Sequence, residues 1–245
     1  DEGIDIKSGL SLDANPKMIM ITPSHQHPLG LTTTLSRRLE LLNLAYKTGA
    51  WLIEDDYDSE FRFKDRPLTA MQGLDEYNHV IYIGTFSKVL FPSLRLSYLV
   101  VPKPLVESFA NVYSLLDRAA PTMPQAVLAD VIREGHFTAH IRKMRNLYAE
   151  RQEALLTVLE SHCSGLLKPI ATDSGMHLIG WLPTHLDDQV VSKRAREYGV
   201  DVIPLSIYSI KAVQPPGLLI GFSCVSPEEM SAAASLLAEA IRSLL

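Results

Sequence analysis

Four short apolar runs, each ending in polar residues or proline, constrain this chain more than any other feature. Met18-Ile19-Met20-Ile21-Thr22 stops at Pro23, and Ala50-Trp51-Leu52-Ile53 runs into Glu54-Asp55. Val80-Ile81-Tyr82-Ile83-Gly84 runs into Thr85, and Leu96-Ser97-Tyr98-Leu99-Val100-Val101 stops at Pro102. Runs of this kind read as buried strands. Between the first two, Leu35, Leu39, Leu42 and Ala45 recur at helical spacing over Thr34–Thr48, and Gly49 is a natural stop. Strand, helix, strand predicts an α/β layer with a mainly parallel sheet, the last pair being open to an antiparallel arrangement. The lead-in Asp1–Lys17 reads as loop or extended chain.

Past Pro104 the pattern changes. Residues 104–162 read as mostly helical, with one long amphipathic stretch from about Gln125 to His162. Leu178–Leu182, Val200–Ile203 and Leu218–Ser223 read as strands, and Leu186–Tyr198 and Pro227–Leu245 as helices. The expected organisation is a partial large domain over 1–104, a helical connection over 105–162 containing a long interdomain helix, and a small α+β domain over 163–245. With 28 acidic against 23 basic residues and a net charge of −5, the segment itself is a poor match for phosphate-driven nucleic-acid binding. No apolar run reaches membrane-spanning length, and Cys163 and Cys224 fit no metal or redox spacing and read as buried, reduced thiols, which points to the cytoplasm. Trp51 and Trp181 read as core. His136 and His140 lie one helical turn apart, but no third metal ligand accompanies them.

Open α/β sheets bind ligands at the carboxyl ends of their strands. Here those ends carry His25 and His27, then Glu54 to Asp58, then Thr85-Phe86-Ser87-Lys88. A lysine just past a buried strand loses part of its hydration, which favours the neutral amine needed for imine formation. The hydroxyls of Thr85 and Ser87, together with Arg95, form a set suited to a phosphate. Asp55 and Tyr57 are two apart, so in extended chain they face the same side. A pyridoxal ring needs a carboxylate at its protonated nitrogen and benefits from a phenol at its 3-oxygen. Asp55 and Tyr57 meet both needs, although Glu54, Asp56, Asp58 and Glu60 crowd the same region and leave a metal site or a solvated acidic turn as rival readings.

Ile53-Glu54-Asp55-Asp56-Tyr57-Asp58-Ser59-Glu60-Phe61-Arg62-Phe63, Gly84-Thr85-Phe86-Ser87-Lys88 and Leu94-Arg95-Leu96-Ser97-Tyr98 together resemble the aminotransferase-like domain of MocR-type regulators, a branch of the GntR transcription factors. Thr22 to Gly30, Glu134-Gly135-His136-Phe137 with Arg142 and Tyr148, Pro204-Leu205-Ser206 and Gly221-Phe222-Ser223 extend the match over nearly the whole chain. The resemblance implies a fold-type-I fold and pyridoxal 5'-phosphate (PLP) as cofactor. Lys88 would hold PLP as an aldimine, Asp55 would pair with the ring nitrogen and Tyr57 with the 3-oxygen. Thr85, Ser87 and Arg95 would hold the phosphate. His27 stands where aminotransferases carry an asparagine before Pro-x-Gly, and His25 is its equal rival.

Two departures bear on function. Neither the glycine and serine turn that cradles the phosphate nor the aromatic that stacks on the ring is found upstream of Met18, so the chain reads as the C-terminal portion of a longer protein. Leu218 to Phe222 carries no arginine to clamp a substrate carboxylate, leaving Arg133, Arg142 and Arg145 as weaker candidates. The reading is therefore an effector domain that senses PLP, an amine or an amino acid, with DNA reached only through an N-terminal domain absent from this sequence and a homodimer expected of the full-length protein. The alternative is a free-standing aminotransferase moving an amino group between an amino acid and a 2-oxo acid.

Overall fold

The computed structural model describes residues 3–64, 68–116, 121–211 and 215–245. Two compact units emerge, the first comprising Asp1–His27, Leu31–Arg62 and Arg66–Arg142, the second Pro28–Gly30, Phe63–Asp65 and Lys143–Leu245.

The first unit opens with α1 (Ile6–Leu12), a correction to the expected loop. Asp5 caps it by accepting from the Ser8 N–H at 3.1 Å. Its only buried side chain is Ile6, so it carries almost no periodic signal. There follow β1 (Met18–Ile21), α2 (Leu35–Thr48), β2 (Trp51–Asp56), α3 (Met71–Leu74), β3 (Val80–Thr85) and β4 (Ser97–Val100). Thr34 caps α2, and Gly49 ends it in the left-handed region at φ 71°, as the sequence predicts. The sheet order is β1-β2-β3-β4. The first three strands are parallel and β4 runs antiparallel to β3. Pairing Ile21 with Glu54 and Asp56 with Gly84 brings the three parallel carboxyl ends to one edge. Beneath them, Leu41, Leu42 and Ala45 of α2 pack with Ile21, Leu52, Met71 and Val80.

Beyond β4 come α4 (Val106–Leu116), α5 (Thr122–Arg133) and α6 (His136–Cys163). The single stretch expected from Gln125 to His162 is two helices, because Gly135 takes φ 81° and breaks the hydrogen-bond ladder. Residues 117–120 of the expected helical region lie outside the described residues. Among the described residues, α4 buries no side chain and α5 buries only Leu128.

The second unit holds β5 (Lys168–Ile170), β6 (His177–Trp181), α7 (Asp188–Glu197), β7 (Ile203–Pro204), β8 (Gly217–Gly221) and α8 (Pro227–Arg242). Its sheet, ordered β5-β6-β8-β7, is antiparallel throughout. Leu159, Leu178, Val191, Leu218, Phe222, Leu237 and Ile241 belong to one continuous core. A capping box joins Ser226 and Glu229 at the start of α8. Trp51 and Trp181 are half-buried rather than core, and Cys224 is exposed while Cys163 is buried.

Candidate functional site

Alternation along β2 sorts the acids. Glu54, Asp56 and Asp58 are buried, while Asp55 and Tyr57, on the intervening positions, are half-buried. The Glu54 carboxylate accepts the Met71 and Gln72 N–H groups at 2.8 and 2.9 Å, satisfying the start of α3. Burial pushes its pKa up, and those two N–H groups pull it back. Asp56 accepts from the Ser59 hydroxyl at 2.7 Å and the Tyr82 phenol at 2.8 Å. Asp58 faces His25 Nδ1 at 2.8 Å. Asp55 alone of these four has no hydrogen bond or ion pair among the described residues, and burial, then Asp56 and Asp58, raise its pKa. Three of the rival acids, Glu54, Asp56 and Asp58, are buried and bonded within the chain.

The loop after β1 is tied down by a residue the sequence reading passed over. Arg38, 3% exposed on α2, donates to the carbonyls of Pro23 at 2.8 Å, Thr33 at 3.0 Å and Thr69 at 2.8 Å. Nothing local in the sequence marks Arg38, since its partners lie up to 31 positions away. Within this loop the histidines separate. His25 is 1% exposed and engaged with Asp58. His27 is solvent-accessible, its ring edge-on to Tyr57 at 6.2 Å. Partial burial above all, with His25 and Lys88 nearby, holds His27 below its ordinary pKa. The Tyr57 hydroxyl donates to the His25 carbonyl at 2.9 Å and lies 3.1 Å from its Nδ1. Burial and the neighbouring acids push the phenol well above its usual range, so it stays protonated and able to donate.

The third strand end leads into an excursion from 86 to 96, closed by the Phe86 N–H on the Leu96 carbonyl at 2.9 Å. Phe86 meets Phe137 edge-on at 5.9 Å, and His140 Nε2 lies 2.9 Å from the Val89 carbonyl oxygen. That contact gives His140 a structural hydrogen bond. The Thr85 hydroxyl accepts the Ser87 N–H at 3.2 Å. Arg95 sits in the left-handed region at φ 51°. For a non-glycine residue this costs about 1–3 kcal/mol and is held in place by the surrounding structure. Lys88 and Arg95 are exposed and make no hydrogen bond or ion pair among the described residues. The desolvation expected at Lys88 is thus not supplied by this chain's own packing.

A carboxylate, a phenol, a primary amine, two hydroxyls and a guanidinium therefore line up along one sheet edge. These are the donors and acceptors that a pyridine nitrogen, a ring oxygen, an aldehyde and a phosphate call for, and PLP fits them. Of the weaker candidates for a carboxylate clamp, Arg133 pairs with Asp130 at 2.5 Å and Arg142 is exposed.

The family model for aminotransferase class I and II matches residues 4–237. A probable rhizopine catabolism regulatory protein, MocR, of Rhizobium meliloti is 42% identical over 88% of this chain and 44% of its own length. The uncharacterized HTH-type transcriptional regulator YhdI of Bacillus subtilis is 38% identical over 88% of this chain and 46% of its own. The chain thus spans less than half the length of these relatives. Among solved structures, Pyrococcus horikoshii kynurenine aminotransferase, in complex with PMP, superposes with a TM-score of 0.90 at 26% identity over 100% of this chain and 62% of that one. LysN, the α-aminoadipate aminotransferase of Thermus thermophilus, complexed with N-(5'-phosphopyridoxyl)-L-leucine, gives 0.89 at 25% identity over 99% of this chain and 64% of its own.

Proposed function

The chain belongs to the class I and II aminotransferase family, and from that premise we propose that it is the PLP-binding effector domain of a MocR-type transcriptional regulator, sensing PLP or an amine at Lys88. The observation that carries this reading is the set of partnerless charges at the strand ends. Asp55, Lys88 and Arg95 lack a protein partner among the described residues, while their neighbours Glu54, Asp56 and Asp58 have one. The cofactor is pyridoxal 5'-phosphate. When bound, it supplies an aldehyde reactive toward amines and a ring that withdraws electrons from the attached carbon.

The chain's own residues would do the rest. Lys88 would supply the primary amine that the cofactor's aldehyde calls for. Asp55, its carboxylate unpaired, keeps a proton on the ring nitrogen by accepting it in a charge-assisted bond. Tyr57 donates to the ring oxygen, with His27 beside it. Thr85, Ser87 and Arg95 bind the phosphate, Arg95 being aimed by its left-handed backbone. An amine that competes with Lys88 for the cofactor would leave the Lys88 amine free and alter the charge at this edge. That change biases a DNA-binding domain elsewhere in the longer protein, a shift of population between states. Partners on this reading are a small amine or amino acid, DNA through another domain, and a second copy in a homodimer, all in the cytoplasm. No described helix is long and apolar enough to cross a membrane.

A free-standing aminotransferase is the second reading, favoured by the fit to solved aminotransferases. Against it stands the higher identity to regulators. Incubation with PLP, a panel of amines and a 2-oxo acid separates the two. The expected result is saturable PLP binding and a visible-band change on adding amine, without sustained turnover. Sustained turnover dependent on the 2-oxo acid overturns the regulatory reading, and no PLP binding overturns both.

A further inference from the structure

We propose that Asp58 and His25 are a positioning pair that directs the Tyr57 proton, and through it the hydrogen bond Tyr57 offers to the cofactor. This rests on the PLP reading of the site. Both side chains are 1% exposed, and Oδ2 of Asp58 lies 2.8 Å from Nδ1 of His25. An ionised carboxylate only accepts, so this bond requires the His25 proton on Nδ1. Which nitrogen carries the proton is thereby fixed by the partner of the ring. A protonated Nδ1 cannot accept from the Tyr57 hydroxyl 3.1 Å away, which leaves the His25 carbonyl at 2.9 Å as the one acceptor competing for that proton among the described residues. The pair thus removes one of two internal acceptors and keeps the phenol available as a donor to the ring oxygen.

Sequence alone separates the two residues by 33 positions. They meet because β1 and β2 are parallel neighbours and Arg38 holds the loop carrying His25 at its root. Burial raises the Asp58 carboxyl, and the His25 bond opposes that shift. The other charged or titratable groups around Tyr57 are Asp55 and Asp56 on β2, His27 on the loop after β1, and Lys88, whose charge reaches His27.

The test is a double-mutant cycle on the reconstituted protein, read by the pH midpoint of the visible band of bound PLP. A donor at the ring oxygen favours its anionic form, so weakening that donor raises the midpoint. Asp58→Ala frees Nδ1 to capture the Tyr57 proton and should raise the midpoint by about one pH unit, equivalent to a tenfold change in proton affinity. In the Tyr57→Phe background the same substitution should leave it unmoved. Asp58→Asn retains an acceptor oxygen and should restore most of the wild-type midpoint, and it serves as well if Asp58→Ala fails to fold. Equal shifts in both backgrounds, or none in either, overturn the proposal. Nitrogen chemical shifts of His25 in the cofactor-free chain supply an independent readout. A proton on Nε2 rather than Nδ1 overturns the pair even if PLP binds, whereas a wild-type chain with no visible band defeats the PLP reading and leaves the tautomer assignment to stand or fall on the shifts.

Discussion

In the second unit the deepest side chains of the central core are apolar, among them Leu159, Leu178, Leu218, Phe222 and Ile241. At the strand-end edge of the first unit the deepest positions include His25, Arg38, Glu54 and Asp58, each engaged by a named partner. The first unit also leaves apolar side chains in the open, with Leu115 and Leu116 on α4 both 79% exposed. That apolar core and the strand-end edge are held together differently. One gains stability from removing carbon from water. The other buries polar groups, whose burial costs less when they are hydrogen-bonded. Asp55, Lys88 and Arg95 stand out against that second background as charges with no hydrogen bond or ion pair among the described residues.

Substitutions sharpen the contrast. The largest effect is expected in the apolar core. Leu159→Ala removes a side chain that is 1% exposed and should cost about 2–5 kcal/mol in a denaturant titration, with the PLP spectrum of the folded fraction unchanged. A matching loss of PLP affinity in the folded fraction would break the division between the units. Next comes Glu54→Ala, which strands the Met71 and Gln72 N–H groups and should cost about 1–3 kcal/mol. If Glu54 rather than Asp55 were the ring partner, this variant would abolish PLP binding at concentrations where the protein is still folded.

The smallest stability effect, and one of opposite sign, is expected at Asp55. Burial raises its carboxyl above the ordinary range, so the folded state loses stability as pH climbs from the free-carboxylate value through the raised one. Asp55→Asn removes that loss. The cofactor-free variant should melt above wild type at neutral pH, and the difference should disappear below the ordinary carboxylate range. PLP affinity should fall by about tenfold or more, the worth of one charge-assisted bond. A variant that melts lower at neutral pH would mean that Asp55 has a stabilising partner.

Much of this was legible in the sequence. The apolar runs marked the strands of the first sheet, Thr34 and Gly49 marked both ends of α2, and strict alternation placed Asp55 with Tyr57 on one side. What escaped was set by distant partners or weak local signal. Glu54 bonds residues 17 and 18 positions on, Asp58 bonds His25 across 33, and Arg38 spans both directions. The α1 helix buries one residue, and β5 is three residues with a proline inside. The break at Gly135 fell inside an amphipathic pattern that continues on either side of it.

The central claim is that Lys88, at the end of the third parallel strand, is where this chain meets its cofactor. Borohydride reduction of the PLP-loaded protein followed by peptide mapping tests it most directly. The account predicts a single pyridoxyl-modified lysine at position 88, and loss of that label in Lys88→Ala. A label on another lysine such as Lys103 or Lys143, or a visible band that survives Lys88→Ala, would contradict it.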